Sequence, residues 1–421
     1  MNGAAPPGPS ATLDHWLAYQ ERLHPSAIEL GLDRVGAVWR RLDLHRHAPP
    51  TLIVAGTNGK GSSAHLADLI LRESGYCTGL YTSPHLLHYA ERVSIDGNPV
   101  SDRELCAAFE QIEAARDDIA LTYFEFGTLA ALWCFRARRV QARVLEVGLG
   151  GRLDAVNLVD ADAALLTSIG LDHQDWLGPD RESIGREKAH VFRGGRPAVC
   201  AEPLPPQSVL AHAQAIGAEL HCIGTDFEVV DTADDWTWQG GGRQLRALPR
   251  PGIPGAAQLR NAGGVITALL AMRTELQIPE AAIRRALPRL ELPGRFQRRG
   301  RVVFDVAHNA EAAQVLAALI RQHLMPARVV LVLGMLADKP VEAYCGALRE
   351  NVAGAYCIDL PSPRACPAGS LAARVTACGI PAQASGGIGE AMAAAQADAG
   401  ERGWVLVSGS FFTVAAGLAH G

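Results

Sequence analysis

Short apolar, β-branched runs alternate along this chain with longer stretches whose apolar residues recur every three or four positions. Trp16 to Leu23 and Leu32 to Leu44 predict helices, the second with Val35, Val38, Trp39 and Leu42 on one face. Thr51-Leu-Ile-Val-Ala55 predicts a buried strand, and Ser63 to Ser74, closed by Gly75, predicts the helix after it. Thr78 to Thr82 predicts a second strand, and Asp96-Gly97 within Val93 to Pro99 predicts a hairpin turn. Ser101 with Glu104 three residues on is a capping box opening a helix to Arg116, and Phe124 to Arg138 reads as a strongly apolar helix. Arg143 to Val147 and Ala163 to Thr167 are buried-type strands, each ending in a polar or glycine-rich turn. Such alternation predicts a mostly parallel sheet with helices on both faces.

The pattern changes at residues 219–248. Short alternating runs at Phe227 to Val230, Trp236 to Trp238 and Gln244 to Leu248, separated by Asp and Gly, predict a small antiparallel insertion. Helices resume from Ala256 to Leu276 and from Pro279 to Leu287. Pro288 to Gly294 has few apolar anchors and reads as a linker. Beyond it the alternation restarts with strand Arg301 to Val306, helix Ala310 to His323, strand Val329 to Leu333, helix Pro340 to Arg349 and strand Ala355 to Ile358. Two further helices, a strand Trp404 to Ser408 and a closing helix complete it. The predicted organisation is a disordered tail at 1–12, a first domain at 13–287, a linker at 288–296 and a smaller second domain at 297–421.

Composition narrows the class. The 421 residues suit two or three domains. With 39 basic and 44 acidic residues, the net charge of −5 gives no general attraction to nucleic acid or to anionic membranes. Nine cysteines occur singly and none forms a C-x-x-C pair, which argues against a disulfide framework or a structural zinc site and fits a reducing compartment. Neither a signal peptide nor an uncharged apolar stretch of spanning length is legible, so a cytoplasmic protein is expected.

The most telling chemistry follows the first strand. Gly56-Thr-Asn-Gly-Lys-Gly-Ser62 is a glycine-rich turn with one lysine, set between a buried strand and a helix. Glycines let backbone N–H groups approach an anion, the helix N-terminus adds partial positive charge, and Lys60 adds a full one. The spacing departs from the usual phosphate loop: only Thr57 and Asn58 separate the first two glycines, and Gly61 rather than Ser or Thr follows Lys60. The loop predicts binding of a nucleoside triphosphate. Three further polar groups stand where predicted strands end: Ser83 in Ser83-Pro-His85, Glu146 inside an apolar strand, and His173 in Asp172-His173. A carboxylate in a buried strand is costly unless it is paired or metal-bound. A hydroxyl, a carboxylate and an imidazole at neighbouring strand ends suit a divalent cation bridging phosphates.

Longer strings carry a family resemblance. Gly56 to Ser62, Ser83-Pro-His-Leu86 with Glu91-Arg92, and Glu146-Val-Gly-Leu-Gly-Gly-Arg-Leu-Asp154 belong together with Leu171-Asp-His173 and Arg186-Glu-Lys-Ala189. Leu292-Pro-Gly-Arg-Phe296, Asp305-Val-Ala-His-Asn309 and Gly334-Met-Leu-Ala-Asp-Lys339 follow in the same order. Over residues 14–418 the chain resembles the folylpolyglutamate synthases of the Mur ligase superfamily, in their bifunctional bacterial branch. Four positions depart from the family's habits: His190, Ala310, Ala257 and Pro340.

The resemblance implies an α/β fold: a P-loop-type, mostly parallel sheet ATPase domain with a small antiparallel insertion, plus a smaller Rossmann-like C-terminal domain. It implies ATP-dependent addition of L-glutamate to 7,8-dihydropteroate and to reduced folates through an acyl phosphate, by a monomer that uses neither nucleic acid nor membrane. It implies ATP with two Mg²⁺ ions, and room for a monovalent cation. Asn58, Gly59, Lys60 and Gly61 would cradle phosphates, and Ser83, Glu146 and His173 would be the metal ligands. Lys188 would be the lysine that CO₂ carbamylates. Asn261, Arg295 and Asp305 would hold ATP from the far side of an interdomain cleft, and His308, with Asn309, would face glutamate there. Ala27, Ile28, Glu29 and Leu30 resemble the dihydropteroate loop of bifunctional members. Thr122, Tyr123, Phe124 and Glu125, with Leu153, Asp154 and Ala155, would complete that pocket. Three alternatives stay open: a folylpolyglutamate synthase without dihydropteroate activity, a Mur-type peptidoglycan precursor ligase, and a nucleotide-binding protein without catalysis.

Overall fold

The computed structural model describes residues 6–8, 10–24, 26, 29–46, 48–232, 234–272 and 276–420. Residues 1–5 and 9 of the predicted tail lie outside these. The chain divides into two compact units, one of residues 1–251 and 258–290, the other of residues 252–257 and 291–421.

The first unit is built on eight strands: β1 (Thr51–Ala55), β2 (Thr78–Tyr81), β3 (Val93–Ile95), β4 (Asn98–Pro99), β5 (Ala142–Glu146), β6 (Ala163–Leu166), β7 (Pro197–Cys200) and β8 (Glu219–Cys222). Their order in the sheet is β4-β3-β2-β5-β1-β6-β7-β8. All pairings are parallel except those of the β3–β4 hairpin at one edge. Asp96 and Gly97 take positive φ at the hairpin tip, as a tight two-residue turn requires. The continuous apolar composition of β1 reflects its place: both neighbours are parallel strands, and Leu52, Ile53 and Val54 have no exposed surface. Each such side chain contributes about 1.5–3 kcal/mol when fully buried.

Strand register does the work of assembling the site. Val54 pairs with Glu146 on β5 and Ala55 with Leu166 on β6, while Tyr81 on β2 pairs with Leu145. The turns after β1, β2, β5 and β6 therefore emerge side by side at the carboxyl end of the sheet, where open α/β sheets bind ligands.

Two differences from the expected elements have local causes. The helix after β1 spans Lys60–Glu73, so Gly61 is its second residue. First-turn N–H groups have no intrahelical partner, and a glycine there does not break the helix. Glu219–Cys222 is the parallel edge strand β8 rather than part of the insertion; its mixed burial is that of an edge. The insertion itself is a three-stranded antiparallel sheet of β9 (Phe227–Asp231), β10 (Trp236–Gly240) and β11 (Arg243–Leu248). Trp238 on β10 donates through Nε1 to Thr267 Oγ1 at 3.0 Å, tying the insertion to the helix Ala256–Ala271.

The second unit carries a six-stranded sheet of β12 (Gln297–Arg299), β13 (Val302–Asp305), β14 (Val329–Leu333), β15 (Gly354–Cys357), β16 (Ala382–Ala384) and β17 (Trp404–Ser408). The order is β12-β13-β17-β14-β15-β16, with only β12 antiparallel. The helix Ala310–His323 follows β13. The division falls at Leu290 and Glu291, inside the stretch read as a linker, and residues 252–257 sit with this unit.

Candidate active site

In the loop after β1, Gly56 and Gly59 stand at positive φ where a side chain would meet its neighbours. At Gly56, φ is +148° and a Cβ would lie 2.0 Å from Thr167 Oγ1 and 3.1 Å from the Ser168 amide nitrogen. At Gly59, φ is +84° and a Cβ would lie 2.6 Å from Asn261 Nδ2. The residues after β6 brace the loop. Thr57 N donates to Ser168 O at 2.8 Å and Asn58 N to Ser168 Oγ at 2.9 Å. In return, Thr167 Oγ1 and Ser168 Oγ donate to Asn58 O at 2.7 and 3.0 Å. Gly59 is the N-cap of the helix Lys60–Glu73, and no side chain caps that end. A 14-residue helix thus presents an uncapped positive end beside Lys60, an arrangement that attracts a phosphate.

Two lysines meet on one carbonyl. Lys60 Nζ donates to Gly56 O at 3.0 Å and to Thr57 O at 3.2 Å. Lys188, buried at the end of the helix Arg181–Ala189, donates through Nζ to the same Gly56 O at 3.0 Å. Burial and then the Lys60 charge push the Lys188 amine down to about 7, with Asp172 and Asp154 opposing the shift. Burial therefore favours the neutral, nucleophilic form of the Lys188 amine. Gly151 allows this approach: a Cβ there would lie 2.7 Å from Glu187 O and 2.9 Å from Lys188 O.

Glu146 ends β5 and is buried, and Ser83 N donates to its Oε2 at 3.0 Å. The structure thus brings these two predicted ligands together. His173 sits at the N-cap of the short helix Gln174–Leu177, in the left-handed region and 3.9 Å from the Asp172 carboxylate. Among the described residues, no three His, Cys, Asp or Glu side chains form a group that could hold a metal on their own. A cation here must also draw on hydroxyl, phosphate or water oxygens, as a hard divalent ion readily does. The Ser83–Arg92 segment is self-organised: Glu91 accepts from the amides of Leu86, Leu87 and His88, and Arg92 Nε donates to His85 Nδ1 at 2.8 Å.

The segments expected to hold a pteridine also meet. Gly31 N donates to Leu153 O at 3.2 Å, and Arg34 bridges Glu29 and Glu125. Thr122 and Glu125 form a capping box at the start of the helix Tyr123–Arg138. The Phe124 ring lies against Gly148, where a Cβ would come within 2.5 Å of it, and 5.9 Å from the Tyr81 ring. Asp154 is buried and accepts from Leu149 N at 2.8 Å and Val156 N at 3.0 Å. Burial pushes its carboxyl up to about 6, against those hydrogen bonds and the Lys60 charge. Leu30 and Ala155 flank these contacts in sequence; Ala27 and Ile28 lie outside the described residues.

Asn261 needs a correction. It was expected with Arg295 and Asp305, across a cleft from the loop. It lies instead on the helix Ala256–Ala271 of the first unit, its amide against Gly59 and 3.5 Å from Gln258 Oε1. In the second unit, Asp305 ends β13 and accepts from Phe296 N and Ala307 N, both at 2.9 Å. Burial raises its carboxyl while Arg295 opposes. Arg295 stands 5.7 Å over the Phe411 ring, and the His308 ring is 6.2 Å from the same ring. Asn309 caps the helix Ala310–His323. The bracing residues Thr167 and Ser168 escape a reading by sequence, since hydroxyls at a strand end look like any turn. Arg34 escapes it too, as one more charge in the first turn of a helix.

Comparison with known proteins now adds identity to geometry. Residues 289–411 match the family described as Mur ligase, glutamate ligase domain. The dihydrofolate synthase/folylpolyglutamate synthase of Escherichia coli K12 is 44% identical over 413 residues, covering 97% of this chain and 95% of that protein. Among solved structures, E. coli FolC in complex with DHPP and ADP aligns with a TM-score of 0.94 at 44% identity, over 98% of both chains. A bifunctional folylpolyglutamate synthase/dihydrofolate synthase with Mn, AMPPNP and L-glutamate bound aligns with a TM-score of 0.91 at 45% identity, over 99% of both.

Proposed function

The chain belongs to the dihydrofolate synthase/folylpolyglutamate synthase family, and from that premise we propose the reaction that its residues carry out. It is an ATP-dependent ligase whose substrates are small molecules, and a divalent metal accompanies the nucleotide. The proposed reaction joins the amine of L-glutamate to a carboxyl of 7,8-dihydropteroate, giving dihydrofolate, and to one of reduced folates, giving polyglutamates. ATP first converts that carboxylate to an acyl phosphate and leaves as ADP. The amine then attacks, an amide C–N bond forms, the C–O bond to phosphate breaks, and the amine's proton is lost.

The observation that carries this reading is the likeness over the whole chain to bifunctional enzymes, including one bound to ADP and DHPP. The chain's own residues support it. The uncapped helix end at Gly59, with Asn58, Lys60 and Gly61, suits the phosphates. The oxygens of Ser83 and Glu146 fit Mg²⁺, with His173 as a further ligand; the ion's chemistry is to neutralise phosphate charge. The partly neutral Lys188 suits carbamylation by CO₂, which turns a cation into an anion beside Lys60. Arg295 and Asp305 are assigned to ATP, and His308 to glutamate. Glu29, Thr122 to Glu125 and Leu153 to Ala155 are assigned to the pteridine end, with Phe124 stacking on a ring. A second Mg²⁺, a monovalent cation, a monomeric state and a cytoplasmic setting without nucleic-acid or membrane partners complete the proposal. Nine free cysteines support the reducing setting.

The test is ADP release with Mg-ATP and L-glutamate, comparing 7,8-dihydropteroate with a reduced folate monoglutamate. Turnover with both is expected. Turnover with the folate alone would reduce the protein to a chain-extending enzyme, and turnover with neither would overturn the reading.

A further inference from the structure

We infer that Arg34 is a positioning residue that sets the preference for dihydropteroate, by fixing the Glu29 carboxylate against the buried Glu125. This inference rests on the function proposed above. Arg34 lies in the first turn of the helix Asp33–Arg41. Its Nη1 pairs with Glu29 Oε1, while Nη2 donates to Glu29 O at 3.0 Å and to Glu125 Oε1 at 3.2 Å. Glu125 is a firm anchor: its side chain is 4% exposed, and Oε2 accepts from Thr122 N at 2.7 Å. Glu29 is 46% exposed and yet held on both sides, since His24 Nε2 lies 3.2 Å from Oε2. One planar guanidinium thus joins a reachable carboxylate to a buried one. The hydrogen bond from Gly31 N to Leu153 O brings in the third segment of the pocket.

Stability alone gives a weak account of this arginine. Its Nε is buried and has no acceptor among the described residues. An unpaired buried donor of a charged group works against folding, and exposed ion pairs such as the one to Glu29 contribute little. What the arrangement does accomplish is orientation. A pteridine offers adjacent N–H donors from its amino group and ring, and a carboxylate can accept both only when its plane is fixed. Each Glu29 oxygen keeps a lone-pair direction beyond its contact with Arg34 or His24. Holding the side chain in place beforehand removes the ordering cost from the binding step.

Substrate preference follows from what each substrate brings. Dihydropteroate has a single carboxyl, the one that reacts, so its non-reacting contacts lie at the pteridine end. A folate monoglutamate adds further carboxylates. Loss of Arg34 therefore weakens dihydropteroate more than it weakens the folate.

The test compares wild type, Arg34→Met, Arg34→Lys and Glu29→Gln in steady-state ADP release with both substrates, alongside thermal melting. Arg34→Met is expected to raise KM for dihydropteroate about tenfold or more, with kcat within about threefold, a smaller rise for the folate and an unchanged KM for ATP. Arg34→Lys recovers little of this, because a point ammonium cannot bridge two carboxylates as a fork does. Arg34→Met combined with Glu29→Gln is expected to cost no more than the worse single change. Equal rises in every KM, a lowered melting temperature with unchanged preference, or additive effects would overturn the inference. Where Arg34→Met fails to fold, Arg34→Lys and Glu29→Gln decide it. Wild type turning over both substrates while the variants keep its preference would sink this inference alone; wild type turning over neither would sink the proposed function with it.

Discussion

Two strand-to-helix junctions in this molecule share an architecture and differ at one point. β1 runs into Gly56–Gly59 and the helix Lys60–Glu73; β13 runs into Val306–Asn309 and the helix Ala310–His323, and both helices have 14 residues. In the second junction the chain closes its own helix end. Asn309 accepts from Ala312 N through its side chain at 2.9 Å, and Asp305 takes the Ala307 amide. In the first, a left-handed glycine stands at the N-cap and no side chain caps the end. Helix N-termini carry unmet N–H groups and about half a positive charge, which something must satisfy. The Asn309 cap closes one helix end with the protein's own side chain, whereas the end at Gly59 has no side-chain cap. The capping residue, rather than the fold, distinguishes a helix end closed by its own chain from one left open.

The comparison breaks most severely at Gly56. An alanine Cβ would meet the Thr167 hydroxyl and also Ser168 backbone, which cannot swing aside as a side-chain tip can. Gly56→Ala is expected to abolish ADP release and to cost about 2–4 kcal/mol in urea unfolding. Gly59→Ala meets only the end of the Asn261 side chain. It is expected to lower kcat/KM for ATP by about a hundredfold with a smaller loss of stability, and Asn261→Ala in the same chain should restore part of it. Equal activity in wild type and Gly59→Ala would show that the open end is not the phosphate site.

Lys188 sharpens the comparison on charge. Its folded amine titrates at about 7 against an ordinary 10.5, so between those values the unfolded chain binds a proton that the folded chain does not. Stability therefore rises with pH across that window, and below about pH 7 this group adds no slope. Lys188→Met is expected to flatten the rise in urea midpoints measured in CO₂-free buffer. It is also expected to lose most activity, whereas wild type should gain activity and a carbamate signal on adding ¹³C-bicarbonate. An unchanged pH profile in Lys188→Met would place the amine outside its low-dielectric setting.

Sequence legibility follows the same division. The strand, glycine turn and helix around Gly56 were readable because glycine spacing and β-branched runs are local signals. The helix Ala310–His323 and the strands Val329–Leu333 and Trp404–Ser408 stand at their expected bounds for the same reason. Harder to read were contacts that depend on register between distant strands. Thr167 and Ser168 brace the loop only because β6 lies beside β1. Glu219–Cys222 joins the main sheet because β7 offers it an edge, which its own alternating pattern does not reveal. Asn261 reaches Gly59 through packing of its helix. Arg34 spans 91 residues of sequence to find Glu125. Pairings of that kind are fixed by tertiary structure, and single-sequence patterns carry no trace of them.

The smallest effect tests the closed end. Asn309→Ala removes the side-chain acceptor from the helix Ala310–His323 and leaves Ala312 N without that partner. Losing an N-cap of this kind costs about 0.5–2 kcal/mol, and a carboxylate can substitute for the amide oxygen. Asn309→Asp is therefore expected to melt close to wild type and Asn309→Ala several degrees lower, by differential scanning calorimetry. KM for ATP should stay unchanged in both, because a side chain of the protein's own already caps this helix end. A rise in KM for ATP in Asn309→Ala, without a drop in melting temperature, would show that Asn309 faces the nucleotide. The contrast between a helix end closed by its own chain and one left open would then be lost.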